Sequence, residues 1–198
     1  MSDMTREEFY KRYEPDCDKL FTMIDHVGPE LNSRKNRFDK ADLFEAGIEF
    51  ATGGKLSWAD EIGYDLRDPA TGLKYEAKSQ GNCLYTPKGA LKRETTEIKL
   101  SNSLSQNVDH KPSDEADYLL ILDSKTYALA IISYKEVLEN YVTSKLDGFT
   151  CKIPTSALTF LVRPSEVALQ DTESVLSYAE EKRVLQERYV SQFFKTKR

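Results

Sequence analysis

Cysteine and histidine are scarce in this sequence of 198 residues, which has only Cys17, Cys83, Cys151, His26 and His110, all far apart. The cysteines form neither a disulfide framework nor a zinc-ligand pattern. Two histidines cannot build a multi-histidine metal site, so structural zinc is not expected. Long apolar runs are also missing, and none approaches the ~20 residues needed to cross a bilayer. The opening segment, MSDMTREEFYKRYEPD, is charged from the start and holds no apolar signal stretch. The expectation is a soluble, cytoplasmic protein. Positive charge is not in excess either: the formal net charge is −5, which argues against a nonspecific polycation that coats nucleic acid. Internal repeats and low-complexity stretches are absent.

What is present fits a folded protein. Hydrophobic residues at 39% and aromatics at 11% are enough for a full core, and the length suits a single domain over residues 1–198, with helical extensions at both ends. Residues 15–24 read as a helix, with Pro15 in its first turn and Leu20, Phe21 and Ile24 at helical spacing; Gly28 and Pro29 end it. A second helix is expected from Asp39, as N-cap, to Thr52, where Gly53 and Gly54 stop it. Leu43, Phe44, Gly47, Ile48 and Phe50 share one broad face of that helix. Glu45 flanks this face and Glu49 lies one turn further on, which places a carboxylate at the margin of a buried surface.

Residues 61–78 read as a β-hairpin. Asp68-Pro69-Ala70-Thr71-Gly72 supplies the turn; Ile62, Tyr64 and Leu66 alternate on one strand, and Leu73, Tyr75 and Ala77 on the other. Further along, residues 117–122 and 127–133 predict buried strands joined by a turn at 123–126, residues 135–142 a short helix, and 158–162 a further strand. Residues 173–194 predict a helix with Leu185, Tyr189 and Phe193 spaced four apart; such a stripe suits a dimer interface or packing within one subunit. The pattern is α/β with a central mixed sheet and helices at both ends of the chain.

Closing the hairpin about Ala70 and Thr71 sets Asp65 opposite Glu76, Leu66 opposite Tyr75 and Arg67 opposite Lys74. Residues paired this way have Cβ atoms ~5 Å apart. The apolar residues then share one face, and Asp65, Arg67, Lys74, Glu76 and Lys78 the other. Two carboxylates side by side repel unless a cation bridges them or one takes a proton. Mg²⁺ wants hard oxygen ligands and keeps open positions for water and phosphate. Asp65, Glu76 and the carbonyl of Ala77 would supply such a half-filled shell. Lys78, two residues beyond Glu76, projects to the same face, where it can stabilise charge on phosphate or help position a water. The plainer reading of Asp65, Glu76 and Lys78 is a solvated polar strand face.

Asp65 followed by Glu76-Ala77-Lys78, behind a helix bearing Glu45 or Glu49, resembles the D-x(n)-E-x-K signature of the PD-(D/E)xK nucleases. Tyr64 stands where that signature has proline. The resemblance covers residues 39–133 and implies a restriction-endonuclease-like core in which a catalytic hairpin sits in a mixed sheet flanked by helices. It further implies Mg²⁺-dependent hydrolysis of phosphodiester bonds, with Asp65, Glu76, Lys78 and Glu45 as catalytic residues and Asp65, Glu76 and Ala77 as metal ligands. The size is similar to type II restriction endonucleases, which implies a homodimer cutting double-stranded DNA at a short palindromic site.

The stretch after the hairpin is rich in side chains that hydrogen-bond to phosphates and base edges. Lys88, Lys92, Arg93 and Lys99 are expected at phosphates or bases, Asn102, Gln106 and Asn107 at bases, and Gln80 beside the active site. Arg34, Lys35 and Arg37 lie in a basic loop that either touches the DNA backbone or is simply solvated. Two other functions fit the same residues: a structure-specific repair, recombination or phage nuclease of this fold, and a non-catalytic α/β module that binds DNA or protein.

Overall fold

A computed structural model describes residues 3–27, 40–61, 63–100, 115–145, 148–169 and 177. It is a mixed α/β structure with two sheets. Helix α1 (Arg6–Tyr13), which the sequence reading passed over, is started by Thr5: its hydroxyl accepts the N–H of Glu8, and the Glu8 carboxylate accepts the N–H of Thr5. Helix α2 (Cys17–Thr22) runs on into a π-helical turn, Met23–Val27. Its cap is Asp16, which accepts from Lys19 N–H, so Pro15 precedes the helix and is not part of its first turn. Helix α3 (Lys40–Ala51) follows; Asp39, Gly28, Pro29 and the basic residues Arg34, Lys35 and Arg37 lie outside the described residues. Residues 43–48 of α3 are all buried, while Glu49 and Phe50 are half-buried. Gly47 is where α2 and α3 meet, since a Cβ there would come within 2.7 Å of Leu20 Cδ1.

The larger sheet orders its strands β1 (Ser57–Glu61), β2 (Tyr64–Arg67), β3 (Lys74–Gln80), β5 (Tyr118–Asp123), β6 (Ala128–Ser133), β9 (Thr159–Val162). Among the described residues, only the β3–β5 pair of this sheet is parallel. That geometry demands a long crossover, and the chain uses it to build β4 (Thr95–Leu100). Strand β4 pairs with β8 (Gly148–Pro154), and β8 with β7 (Val142–Lys145), to form a second, three-stranded sheet. The short helix α4 (Tyr134–Asn140) follows β6.

Two core clusters lie on the two faces of the larger sheet. The first joins Phe9, Leu20, Phe21, Phe44 and Ile48 of the helices to Leu66, Tyr75, Leu120 and Leu122. The second joins Leu119, Ile121 and Ala130 to Ile98, Cys151 and Ile153 of the smaller sheet and to Tyr134 and Val137 of α4. Strand β5 therefore has apolar side chains on both faces, as a central strand covered on two sides must.

Several sequence expectations need correction. The first hairpin strand begins at Tyr64; residues 57–61 form a separate strand, and Gly63, at φ 99°, sits in the turn between them. Ile62 is outside the described residues. Tyr64 leaves the face of Leu66 and joins the second cluster, with Lys74 Nζ 4.6 Å from its ring centre. The helix expected over 135–142 spans Tyr134–Asn140, and Val142 already belongs to β7. Strands β4, β7 and β8 were not foreseen. The expected C-terminal helix, with Leu185, Tyr189 and Phe193, falls outside the described residues. Among the described residues no helix is long and apolar enough to cross a membrane, and all three cysteines are free.

Candidate active site

The hairpin turn is built by one residue. Asp68 is buried and accepts N–H bonds from Ala70 and Thr71 and hydroxyl bonds from Thr71 and Tyr13, while Gly72 takes φ 78°, a conformation open to glycine at no steric cost. The turn holds Leu66 opposite Tyr75 and Arg67 opposite Lys74, the register expected from the sequence. The ladder ends there; one step further Asp65 and Glu76 are not paired, but both carboxylates lie against the Lys78 ammonium.

At that step the two strands part. In an unbroken ladder the N–H of Ala77 would reach a carbonyl of β2; here it donates to Asp65 Oδ2 at 2.7 Å. Within a strand, a residue's N–H and C=O point to the same neighbour, so the carbonyl of Ala77 faces the same opening. Strand β3 continues past it, paired only with β5 on its other side: Glu76 opposite Leu119, Lys78 opposite Ile121.

The ammonium of Lys78 lies 2.5 Å from Glu76 Oε1 and 3.7 Å from Asp65 Oδ2. Side-chain exposures are 26% for Asp65, 12% for Glu76 and 20% for Lys78. The three side chains are mostly buried, and each keeps some exposed surface. Burial pushes the Glu76 carboxyl above the usual glutamate range; Lys78 opposes this and the nearby Asp65 charge adds to it. For Lys78, burial pulls the pKa down, but Glu76, Asp65 and then Glu45 outweigh it, and the net shift is upward. Lys78 is therefore held as a cation. Such a group steadies negative charge and does not serve as a proton acceptor.

The two helix glutamates separate in this geometry. Glu45 is buried, and its charge acts on Lys78. Glu49 accepts the N–H of Trp58 at 3.3 Å, tying α3 to the start of β1. Beside the acid pair stands a residue the sequence reading did not single out: Tyr134, buried at the start of α4, whose pKa is raised by burial first and then by Glu76, Cys151 and Asp65. Nothing in the sequence marks it, because it lies 58 positions beyond Glu76 and reaches the site only through sheet topology.

No protein-family model matches the chain, and no match is found among curated proteins. Function must be argued from this geometry.

The donor set fits a hard divalent cation in kind. Two carboxylates and one carbonyl edge converge on the opening, and Mg²⁺ commonly takes one or two carboxylates and fills its shell with water and phosphate oxygens. Among the described residues no group of three or more histidine, cysteine, aspartate or glutamate side chains is placed to enclose a metal. A fully protein-built cage is thus not what these residues offer.

The expected DNA contacts are spread over the crossover. Gln80 ends β3 and is exposed; Lys88 and Arg93 are exposed and Lys92 half-buried in the loop before β4. Lys99 is on the outward face of β4, whose Thr96, Ile98 and Leu100 pack inward. Asn102, Gln106 and Asn107 lie outside the described residues.

The raised Glu76 pKa gives a test on metal-free protein. A carboxyl whose folded pKa exceeds its unfolded value contributes stability that is present below the unfolded pKa and lost as pH rises through the folded one. The unfolding midpoint of wild type minus that of Glu76→Gln is therefore expected to fall as pH rises above the unfolded glutamate value of about 4.3. Thermal unfolding followed by circular dichroism in a chelating buffer measures it. A difference that rises with pH there would contradict the assignment.

Proposed function

We propose that this chain is a Mg²⁺-dependent endonuclease of the PD-(D/E)xK kind, cutting double-stranded DNA as a sequence-specific, type II restriction enzyme and acting as a homodimer. The supporting observation is the opening between β2 and β3, where Asp65, Glu76 and the Ala77 carbonyl edge meet with a cationic Lys78 beside them. A helix carrying Glu45, a hairpin carrying Asp65 and Glu76-Ala77-Lys78, and an antiparallel strand pair beyond them follow the order that the nuclease core would require.

In this reading Asp65 and Glu76 would hold a divalent metal, which when bound would supply Lewis acidity at the scissile phosphate. Asp65 is kept in place by the Ala77 N–H. Lys78, kept protonated by its acidic neighbours, faces the phosphate as negative charge builds on it. Glu45 orients Lys78 from the helix side. Lys88, Arg93 and Lys99 contact the DNA backbone.

Glu45 and Glu49 give a paired test. Glu45→Gln is expected to slow Mg²⁺-dependent nicking of supercoiled plasmid by roughly tenfold or more. Glu49→Gln should leave the rate within about twofold, since its carboxylate serves the Trp58 N–H. The opposite ranking would move the helix contribution to Glu49.

The function itself is tested by digesting a long DNA of known sequence with the purified chain and Mg²⁺, then sequencing the ends. Discrete fragments sharing one short motif support restriction. Cuts at ends or branches alone would give a structure-specific nuclease, and no cleavage with any divalent cation would remove the nuclease reading.

A further inference from the structure

The sheet face that carries Glu76 and Lys78 also carries a side chain from outside the hairpin. Backbone bonds run across three strands from Lys74 to Tyr134: Asp117 N–H donates to the Lys74 carbonyl at 2.8 Å, and Tyr134 N–H to the Asp117 carbonyl at 2.9 Å. Lys74, Glu76 and Lys78 share one face of the sheet by strand alternation. Glu76 pairs with Leu119 and Leu119 with Ile132, so Tyr134, two residues past Ile132, belongs to that face as well. It is 3% exposed and packs in the second core cluster with Val137. Its ring is thus anchored at one end by apolar contacts and by the start of α4, where the Ser133 hydroxyl caps the helix.

A phosphate entering this site meets two carboxylates, which repel it, and one ammonium already committed to both of them. A neutral hydroxyl donor nearby adds attraction without adding charge. A tyrosine phenol, with an ordinary pKa of about 10, carries its proton near neutral pH and is available as a donor.

We infer that Tyr134 is a catalytic residue of this site, its phenol O–H donating to a non-bridging oxygen of the scissile phosphate. The inference rests on the nuclease reading above and adds to it a substrate contact from the same sheet face, beyond β5. No covalent step passes through the phenol; its part is to stabilise charge.

Tyr134→Phe keeps the ring and removes only the hydroxyl. With wild type active on supercoiled plasmid in Mg²⁺, the variant is expected to nick about a hundredfold more slowly, with its metal-free unfolding midpoint unchanged. In the Lys78→Ala background, where turnover is removed, adding Tyr134→Phe is expected to weaken binding of a short DNA duplex in Mg²⁺ by roughly tenfold. Val137→Ala removes packing from the same helix and should lower the unfolding midpoint with the nicking rate held within about twofold. A Tyr134→Phe chain that nicks at the wild-type rate overturns the inference and leaves the nuclease reading standing. Equal slowing by Val137→Ala also overturns it, because packing alone would then account for the effect. If the wild-type chain nicks with no divalent cation, both fall together.

Discussion

Asp65→Ala and Lys78→Met are each expected to remove Mg²⁺-dependent cleavage, by a hundredfold to a thousandfold at least, as loss of a charge-stabilising group at a reacting phosphate costs about that much. The two act differently. Asp65→Ala takes away a carboxylate that would hold the metal and also leaves the Ala77 N–H without its acceptor, a cost of about 1 kcal/mol or more in stability. Lys78→Met retains a long apolar stem in the same space and removes the ammonium that lies 2.5 Å from Glu76. Glu76, already pushed upward by burial, would then take up a proton more readily still. Both variants are expected to fold and to bind duplex DNA, because neither residue belongs to a core cluster. Plasmid nicking, a gel-shift in Ca²⁺ and thermal unfolding together provide the measurement. Full cleavage by either variant would end the assignment of that residue.

The largest stability effect is expected at Asp123, away from the acids. This carboxylate is fully buried at the end of β5 and accepts N–H bonds from Asn82, Leu84, Tyr85, Lys125 and Thr126, at 2.8 to 3.2 Å. It joins the start of the crossover to the β5–β6 turn. Asp123→Ala would leave several of these donors unpaired, two of them on the buried residues Leu84 and Tyr85. The expected loss is about 3–5 kcal/mol, in the range for breaking a buried charged network. Asp123→Asn, which retains one acceptor oxygen, should lose less. Urea unfolding of the three proteins tests the order; an Ala variant within 1 kcal/mol of wild type, roughly the size of one ordinary hydrogen bond, would show that the network carries little.

The acid site and this network meet in function. The residues from 81 to 94 lead from β3 to β4, and Asp123 secures their first turn. Lys88, Lys92, Arg93 and Lys99, the expected contacts to DNA, all follow that anchor. A chain weakened at Asp123 is therefore expected to lose DNA binding before it loses the hairpin geometry.

Local chemistry accounts for the features legible in the sequence alone. A turn whose Asp68 satisfies its own neighbours' N–H groups and whose Gly72 takes a positive φ leaves one hairpin register open, and that register brings Asp65 to Glu76 and sets Lys78 on the same side. Apolar runs at 118–123 and 128–133 have no polar face to turn outward, so they become central strands. Helix α3 follows from spacing and its glycine stop. The rest depended on contacts between distant segments. Strand β4 became part of a second sheet only because β8 lies beside it, and polar alternation by itself does not separate an edge strand from a loop. The different settings of Glu45, which acts on Lys78, and Glu49, which accepts the Trp58 N–H, depend on how α3 packs against the sheet. Tyr134 came to the acid pair through a parallel strand pairing and a helix start, long-range geometry that no local pattern of residues encodes.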